Sequence, residues 1–284
     1  MKAKTNLTLI ALALFWALSL PAQNPASGPV TLFQNVRIFD GKSGTLSAPS
    51  HVLVRGSKIE KISTTPLPID RRADTVLIDG GGRTLMPGLI DMHWHAMLVR
   101  PTPSSAFTND IGYTNLLAGA EAMDTLMRGF TTIRDMGGPV FGLKQAIDEG
   151  LVTGPRIYPS GAIITTTGGH GDFRQPFELP RIVGGPLTRS EQVDGSMIAD
   201  SPDEVRMRAR EQLMLGASQI KLTAGGGVAS PHSPLDVCTF TLEELRAAVE
   251  AAENWGTYVT VHSYTSPPSS VRSPQASSAS STVI

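Results

Sequence analysis

One cysteine, Cys238, stands in 284 residues, so no disulfide can form within the chain. Charge is sparse and balanced. Charged residues make up 17% and the formal net charge is −1, with no basic stripe, which argues against a nucleic-acid partner. The longest apolar run, Leu7 to Leu20, falls short of the roughly 20 residues that cross a bilayer, so no stable membrane span is expected. The glycine-rich stretch Thr223–Gly227 lacks the Gly-Lys-Ser/Thr ending of a phosphate loop, which argues against nucleotide binding.

Hydrophobic residues at 40% mark a folded globular chain, long enough for one large domain or two small ones. Lys2 and Lys4 precede the apolar run, and Pro21-Ala22-Gln23-Asn24 ends it. This reads as a secretory signal over residues 1–22, cleaved near Ala22, and the expected location is secreted or periplasmic. An uncleaved anchor is the alternative.

Residues 29–86 form a β-rich module. Alternating apolar residues run over Val30–Phe39 and His51–Ile62, with a turn-rich stretch Asp40–Gly44 between them and a third short strand at Thr75–Ile78. From residue 87 to 265 the rhythm becomes strand, helix, strand. Strands are expected at Leu89–His95, Thr131–Met136, Arg156–Ile164, Ser218–Thr223 and Tyr258–Tyr264, with helices near 113–128, 140–149, 202–215 and 241–254. The last helix opens on the capping-box residues Thr241-Leu242-Glu243-Glu244. Residues 165–201 read as irregular. Strands alternating with helices build a parallel sheet, and both an open sheet and a barrel fit. Five units are too few to close an eight-unit barrel, which takes about 250 residues. Residues 266–284, rich in Ser, Pro and Ala, read as a disordered tail or as a shifted reading frame beginning near residue 265, with later units missing.

Three features fall at strand ends, where such sheets place their chemistry. His93 and His95 are two apart, so on a strand they point to one side and could grip one metal ion, imidazole being suited to zinc. Lys221 sits inside the apolar strand Gln219–Thr223. A buried lysine must lose its charge or find a partner, and a neutral amine can capture carbon dioxide as a carbamate able to bridge two metals. His262 shares a strand face with Thr260 and Tyr264. Each feature has an ordinary reading too: a half-buried histidine pair, a strand-edge lysine in solvent, a hydrogen-bonded core histidine. His170 and Asp172, in a glycine-rich loop, are candidate substrate contacts or parts of a structural turn. Tyr264 is a candidate donor to a substrate carboxylate or a core tyrosine. His232 reads as a loop residue, and Asp91 and Asp135 as groups that orient strands.

Taken together, these segments resemble the amidohydrolase superfamily, in its imidazolonepropionase-like and prolidase-like dipeptidase branch. The resemblance rests on Thr84–His95, Phe130–Gly138, Thr167–Asp172, Ile220-Lys221 and Val261–Thr265, in that order, and spans about residues 30–265. It implies a (β/α)8 TIM barrel flanked by a small β-sandwich. It also implies two zinc-like divalent ions, with His93, His95 and a carboxylated Lys221 on one, and Lys221 and His262 on the other. The implied reaction is hydrolysis of a carbon–nitrogen bond in a peptide or cyclic amide, with Xaa-Pro dipeptides as one substrate class. The family's strand-six histidine and strand-eight aspartate have no counterpart here, so no catalytic residue is assigned. A general base of that kind is worth about 10²–10⁴-fold in rate. The chain as written is therefore expected to be inactive or poorly folded, a truncated fragment that still binds metal being one alternative and a periplasmic binding protein another. Oligomeric state is left open, a homo-oligomer included.

Overall fold

A computed structural model describes residues 28–68, 74–178, 180–182, 184–230 and 232–264. The signal segment 1–22 and the Ser/Pro-rich stretch 266–284 lie outside the described residues. The chain divides into two compact units, Met1–Pro87 and Gly88–Ile284.

The first unit holds β1 (Val30–Ile38), β2 (Ser50–Arg55), β3 (Lys58–Ser63), β4 (Thr75–Asp79) and β5 (Thr84–Leu85). Its order is β3-β2-β1-β4, with β5 also on β1. β1 runs antiparallel to β2 but parallel to β4 and β5. It changes partner along its length: residues 30–34 lie against β4, and Arg37 and Ile38 against β5. The change falls at a register shift between Phe33 and Val36, a bulge that bends the strand. Val30, Leu32, Leu53 and Leu67 close a small core. The resemblance implies a two-layered sandwich here. Among the described residues the strands form one mixed sheet, because β1 serves β2, β4 and β5 alike. The continuous strand expected over 51–62 is in fact the hairpin β2–β3. Alternation persists through both arms, and only the Gly56-Ser57 pair marks the turn between them.

The second unit runs β6 (Leu89–Trp94), α1 (Pro103–Thr108), α2 (Ile111–Met127), β7 (Phe130–Asp135), α3 (Phe141–Asp148), β8 (Arg156–Pro159), β9 (Ile163–Thr165), α4 (Arg189–Gln192), β10 (Ser196–Ile198), α5 (Pro202–Met214), β11 (Ile220–Thr223), α6 (Leu242–Glu253) and β12 (Val259–His262). Every strand pair in it is parallel. Two sheets result, β6-β7-β8 and β10-β9-β11-β12. The single strand expected over 156–164 is two strands in different sheets, because the chain bends at Ser160-Gly161-Ala162. Here the Ala162 N–H donates to Gln212 Oε1 (2.9 Å), and the Ser218 N–H to the Pro159 carbonyl (2.7 Å). The stretch 165–201, expected to be irregular, contains α4 and β10. Both are too short for a periodic pattern to show.

Two cores form on the helix-covered faces. Ala118 and Ala122 of α2 and Leu143 of α3 pack on Ile133 and Ile157. Val205, Ala209 and Leu213 of α5 and Ala247, Ala248, Ala251 and Ala252 of α6 pack on Ile164, Ile220, Leu222 and Val259. The alanines bring these helices close to the strands. The Thr241–Glu244 capping box forms as expected: Thr241 Oγ1 accepts from the Glu244 N–H (3.3 Å) and Glu244 Oε2 from the Thr241 N–H (2.8 Å).

Gly161 has φ +73°, and a Cβ there would lie 2.2 Å from Gln212 Oε1 and 2.8 Å from the Phe141 ring. Gly161→Ala is therefore expected to destabilise the chain by about 1–3 kcal/mol through combined strain and overpacking. Urea unfolding measures this, and an unchanged midpoint would show that the bend tolerates a side chain.

Candidate metal centre

The polar residues converge at the C-terminal ends of the parallel strands. On β11, Ile220 and Leu222 face the α5–α6 core, so alternation turns Lys221 and Thr223 to the other face. In the β11–β12 register Lys221 lies opposite Thr260, and Thr223 opposite His262. Lys221 and His262 are thus diagonal neighbours on one face. At the end of β6 the rings of His93 and His95 lie with centroids 5.3 Å apart. The strand ends at Trp94 and His95 lies just beyond it, yet the two imidazoles remain side by side.

Asp135, at the end of β7, is fully buried and braces this corner. Its Oδ2 accepts from the Ala96 N–H (2.6 Å) and its Oδ1 from the Gly137 N–H (3.1 Å), tying the chain after His95 to the turn after β7. Asp91 Oδ1 accepts from the His93 N–H (2.9 Å). Both aspartates orient backbone, as their positions suggested.

Two of the rings are set by carbonyls. His95 Nδ1 lies 3.1 Å from the Gly137 oxygen, and His262 Nε2 lies 3.1 Å from the Gly226 oxygen. A carbonyl can only accept, so each of those nitrogens carries the proton, and the lone pair sits on His95 Nε2 and on His262 Nδ1. A backbone carbonyl fixing the second nitrogen is the usual companion of a metal-ligating histidine.

The charge state fits as well. Lys221 is only 3% exposed, and burial, with Arg134 second, lowers its amine to about 8. Burial also holds His93 at about 3 and His95 at about 4, with the Lys221 charge acting on both, and it lowers His262 in the same way. At neutral pH these imidazoles are uncharged donors. Among the described residues no three His, Cys, Asp or Glu side chains gather closely enough to hold a metal ion by themselves. A ligand set here therefore depends on Lys221.

The loop residues divide. His170 joins the cluster: its ring lies 4.7 Å from that of His262 and burial lowers it to about 4. Asp172 does not. It is buried against Arg174 (2.5 Å) and accepts from the Gly168 N–H (2.8 Å), so it serves the turn. Tyr264 is 53% exposed, with its ring edge-on to His262 at 4.9 Å. His232 is an exposed loop residue. Sequence reasoning missed Arg134 and Ser230. Arg134 is buried beneath the cluster, and its Nε donates to the Met92 carbonyl (2.7 Å). A charged residue alternating with Ile133 on an interior strand was the available signal. Ser230, on His170, gave none.

Alternating parallel strands and helices, with imidazoles and a buried amine at one rim, define an α/β protein of the kind that binds its ligands at strand ends. The amidohydrolase family model matches residues 84–271, and the chain belongs to that family. Ochratoxinase from Aspergillus niger is 34% identical over an alignment of 195 positions that covers 63% of this chain and 38% of that one. Among solved structures, a prolidase complexed with N-methylphosphonate-L-proline is 35% identical with a TM-score of 0.75, over 83% of this chain and 56% of that one. A Xaa-Pro dipeptidase with bound methionine is 31% identical with a TM-score of 0.68, over 83% and 57%. The chain thus spans between about two fifths and three fifths of the length of these relatives.

The lowered histidines predict an acid-sensitive fold. The unfolded chain protonates them near 6.5, whereas the fold keeps His93, His95 and His170 neutral down to about 3 or 4. Between those values the unfolded chain binds more protons, so stability is full above 6.5 and is lost as pH falls. Asp135 opposes this, because burial raises it to about 7 and the fold keeps a proton there. Three groups against one leave a net rise with pH. The urea midpoint of the metal-free chain is expected to climb from about pH 4.5 to about 6.5. A flat or falling profile would contradict the burial of these rings.

Proposed function

We propose that this chain carries the metal-binding side of a hydrolase for carbon–nitrogen bonds in small peptides or cyclic amides, built on strands that form part of a (β/α)8 barrel. The observation that carries the reading is the burial of Lys221 on one strand face among His93, His95 and His262, with no carboxylate paired to it among the described residues. His93, His95 and Lys221 would hold one divalent ion, such as zinc, to which imidazole is suited, and Lys221 and His262 a second. Lys221 would serve as its carbamate, an anionic oxygen donor, for which a half-neutral amine near pH 8 is the starting point. A bound ion of this kind lowers the pKa of a water and polarises a carbonyl.

The chain's own residues supply the rest of the arrangement. His95 and His262 each present one lone pair because Gly137 and Gly226 hold the opposite nitrogens. Asp135 keeps the His95 turn against β7. His170 and Tyr264 stand beside His262, where a substrate amide or carboxylate would meet them. The prolidase and dipeptidase relatives favour a dipeptide with C-terminal proline as substrate, and ochratoxinase supports the amide class more broadly. The aspartate that would handle the proton in this family is expected on an eighth strand and has no counterpart among these residues. The N-terminal segment supports a secreted or periplasmic location.

Zinc uptake by the purified chain in bicarbonate buffer, read by equilibrium dialysis, tests the site. Lys221→Ala is expected to weaken zinc binding by about tenfold or more, since even outer-shell partners of a metal are worth that much. Lys221→Glu, which restores an anionic oxygen, is expected to recover part of the loss. Equal zinc affinity in the wild type and Lys221→Ala would end the proposal.

A further inference from the structure

Three imidazoles in the cluster have a ring nitrogen fixed by a neighbour, and one neighbour differs in kind. His95 and His262 face carbonyl oxygens, which can only accept. His170 Nδ1 faces the hydroxyl of Ser230 at 2.8 Å. The same Ser230 oxygen lies 2.8 Å from the Gly171 N–H, which must donate to it. Ser230 is only 8% exposed. Among the described residues its hydroxyl has these two partners. If His170 Nδ1 carried the proton, the oxygen would accept twice and its own hydrogen would be buried without an acceptor. That cost is avoided when the Ser230 O–H donates to an unprotonated Nδ1. The proton of the neutral ring then lies on Nε2.

The ring is closely confined. A Cβ at Gly227 would fall 2.4 Å from His170 Cγ and Nδ1, so the loop backbone runs close against the imidazole. The ring of His262 stands 4.7 Å from it. The His170 carbonyl is also held, as acceptor from Thr223 Oγ1 on β11.

We propose that Ser230 is a positioning residue that fixes His170 as the Nε2–H tautomer, so that His170 offers the site a hydrogen-bond donor for a carbonyl or carboxylate oxygen and is not a metal ligand. With Nδ1 occupied by the serine and Nε2 by its proton, the ring has no lone pair to give. His95 and His262, held by carbonyls, each keep one. The difference between hydroxyl and carbonyl thus sorts the histidines into ligands and donor. This inference rests on the amidohydrolase reading for the metal but not for the tautomer.

Long-range nitrogen–proton correlation spectra of the full chain, labelled at histidine and assigned with His170→Gln, read the tautomer directly. The expected result is an unprotonated Nδ1 and a protonated Nε2 at His170. Protonation at Nδ1 in the wild type would overturn the proposal. Ser230→Ala is expected to shift the tautomer ratio toward Nδ1–H by about fivefold, the worth of one hydrogen bond, while Ser230→Thr keeps the wild-type ratio. An unchanged ratio in Ser230→Ala would remove the role of the serine, and if that variant does not fold, the wild-type spectrum and Ser230→Thr still decide. Zinc stoichiometry in His170→Gln is expected to equal that of the wild type, and loss of a bound equivalent would make His170 a ligand after all. Acetate, as a bare acceptor oxygen, is expected to move the Nε2 resonance, and no movement at any concentration the protein tolerates would cancel the donor role. Failure of the metal reading shows up separately, as zinc binding indifferent to Lys221.

Discussion

Removing the Lys221 amine from water is the constraint around which the second unit is arranged. An ammonium inside a strand whose neighbours are Ile220 and Leu222 loses its hydration, and no carboxylate among the described residues replaces it. The buried guanidinium of Arg134 adds repulsion to that loss. Ordinary cores avoid such a residue, or pair it. Here every nearby titratable group works toward neutrality instead: each imidazole around the amine is held uncharged, partly by the lysine itself. Neutral imidazoles add no charge to the one that burial and Arg134 already disfavour, so the amine titrates closer to neutrality than a lysine in water.

The backbone does the aiming. Parallel strands end together, so side chains two residues apart on β6, β11 and β12 reach one rim. Orientation comes from loops rather than from side-chain packing. The three glycines after β11 show how tight that control is. A Cβ at Gly225 would meet Ser263 at 2.7 Å, one at Gly226 would meet the Pro234 oxygen at 1.6 Å, and one at Gly227 would enter the His170 ring. A loop that close to its neighbours carries its carbonyl to His262 with no slack. Asp135 performs the matching task on the other side by clamping the amides of Ala96 and Gly137, the residue whose carbonyl holds His95.

Much of this was legible in the chain. The long helices α2, α5 and α6 were placed to within a residue or two of their ends, and α6 also showed its capping box. His93, His95, Lys221 and His262 stood out because each is a polar group in an apolar strand. The losses have physical causes. β8 and β9 read as one strand because the bend between them depends on Gly161 and on Gln212, about 50 residues away. β10 and α4 are shorter than the window over which periodicity shows. Asp172 was visible as a polar residue in a glycine-rich loop, but its pairing with Arg174 two positions later decides its role, and a loop sequence does not say which way a carboxylate turns. Ser230 was silent for the same reason: its meaning lies in a contact 60 residues distant in sequence.

That last contact bears on how one kind of side chain can do two jobs within a few ångströms. Neutral imidazole has one donor and one acceptor nitrogen, and only the partner of one nitrogen determines what the other offers. A carbonyl partner turns the ring into a base toward the site, and a hydroxyl that must donate turns it into an acid. On the proposed reading an amide substrate would call for both, nitrogen lone pairs to hold an electrophile and N–H groups to meet the oxygen that gains negative charge. The fold obtains the two from identical residues by choosing what lies behind each ring, and the choice is made by Gly137, Gly226 and Ser230 rather than by the histidines.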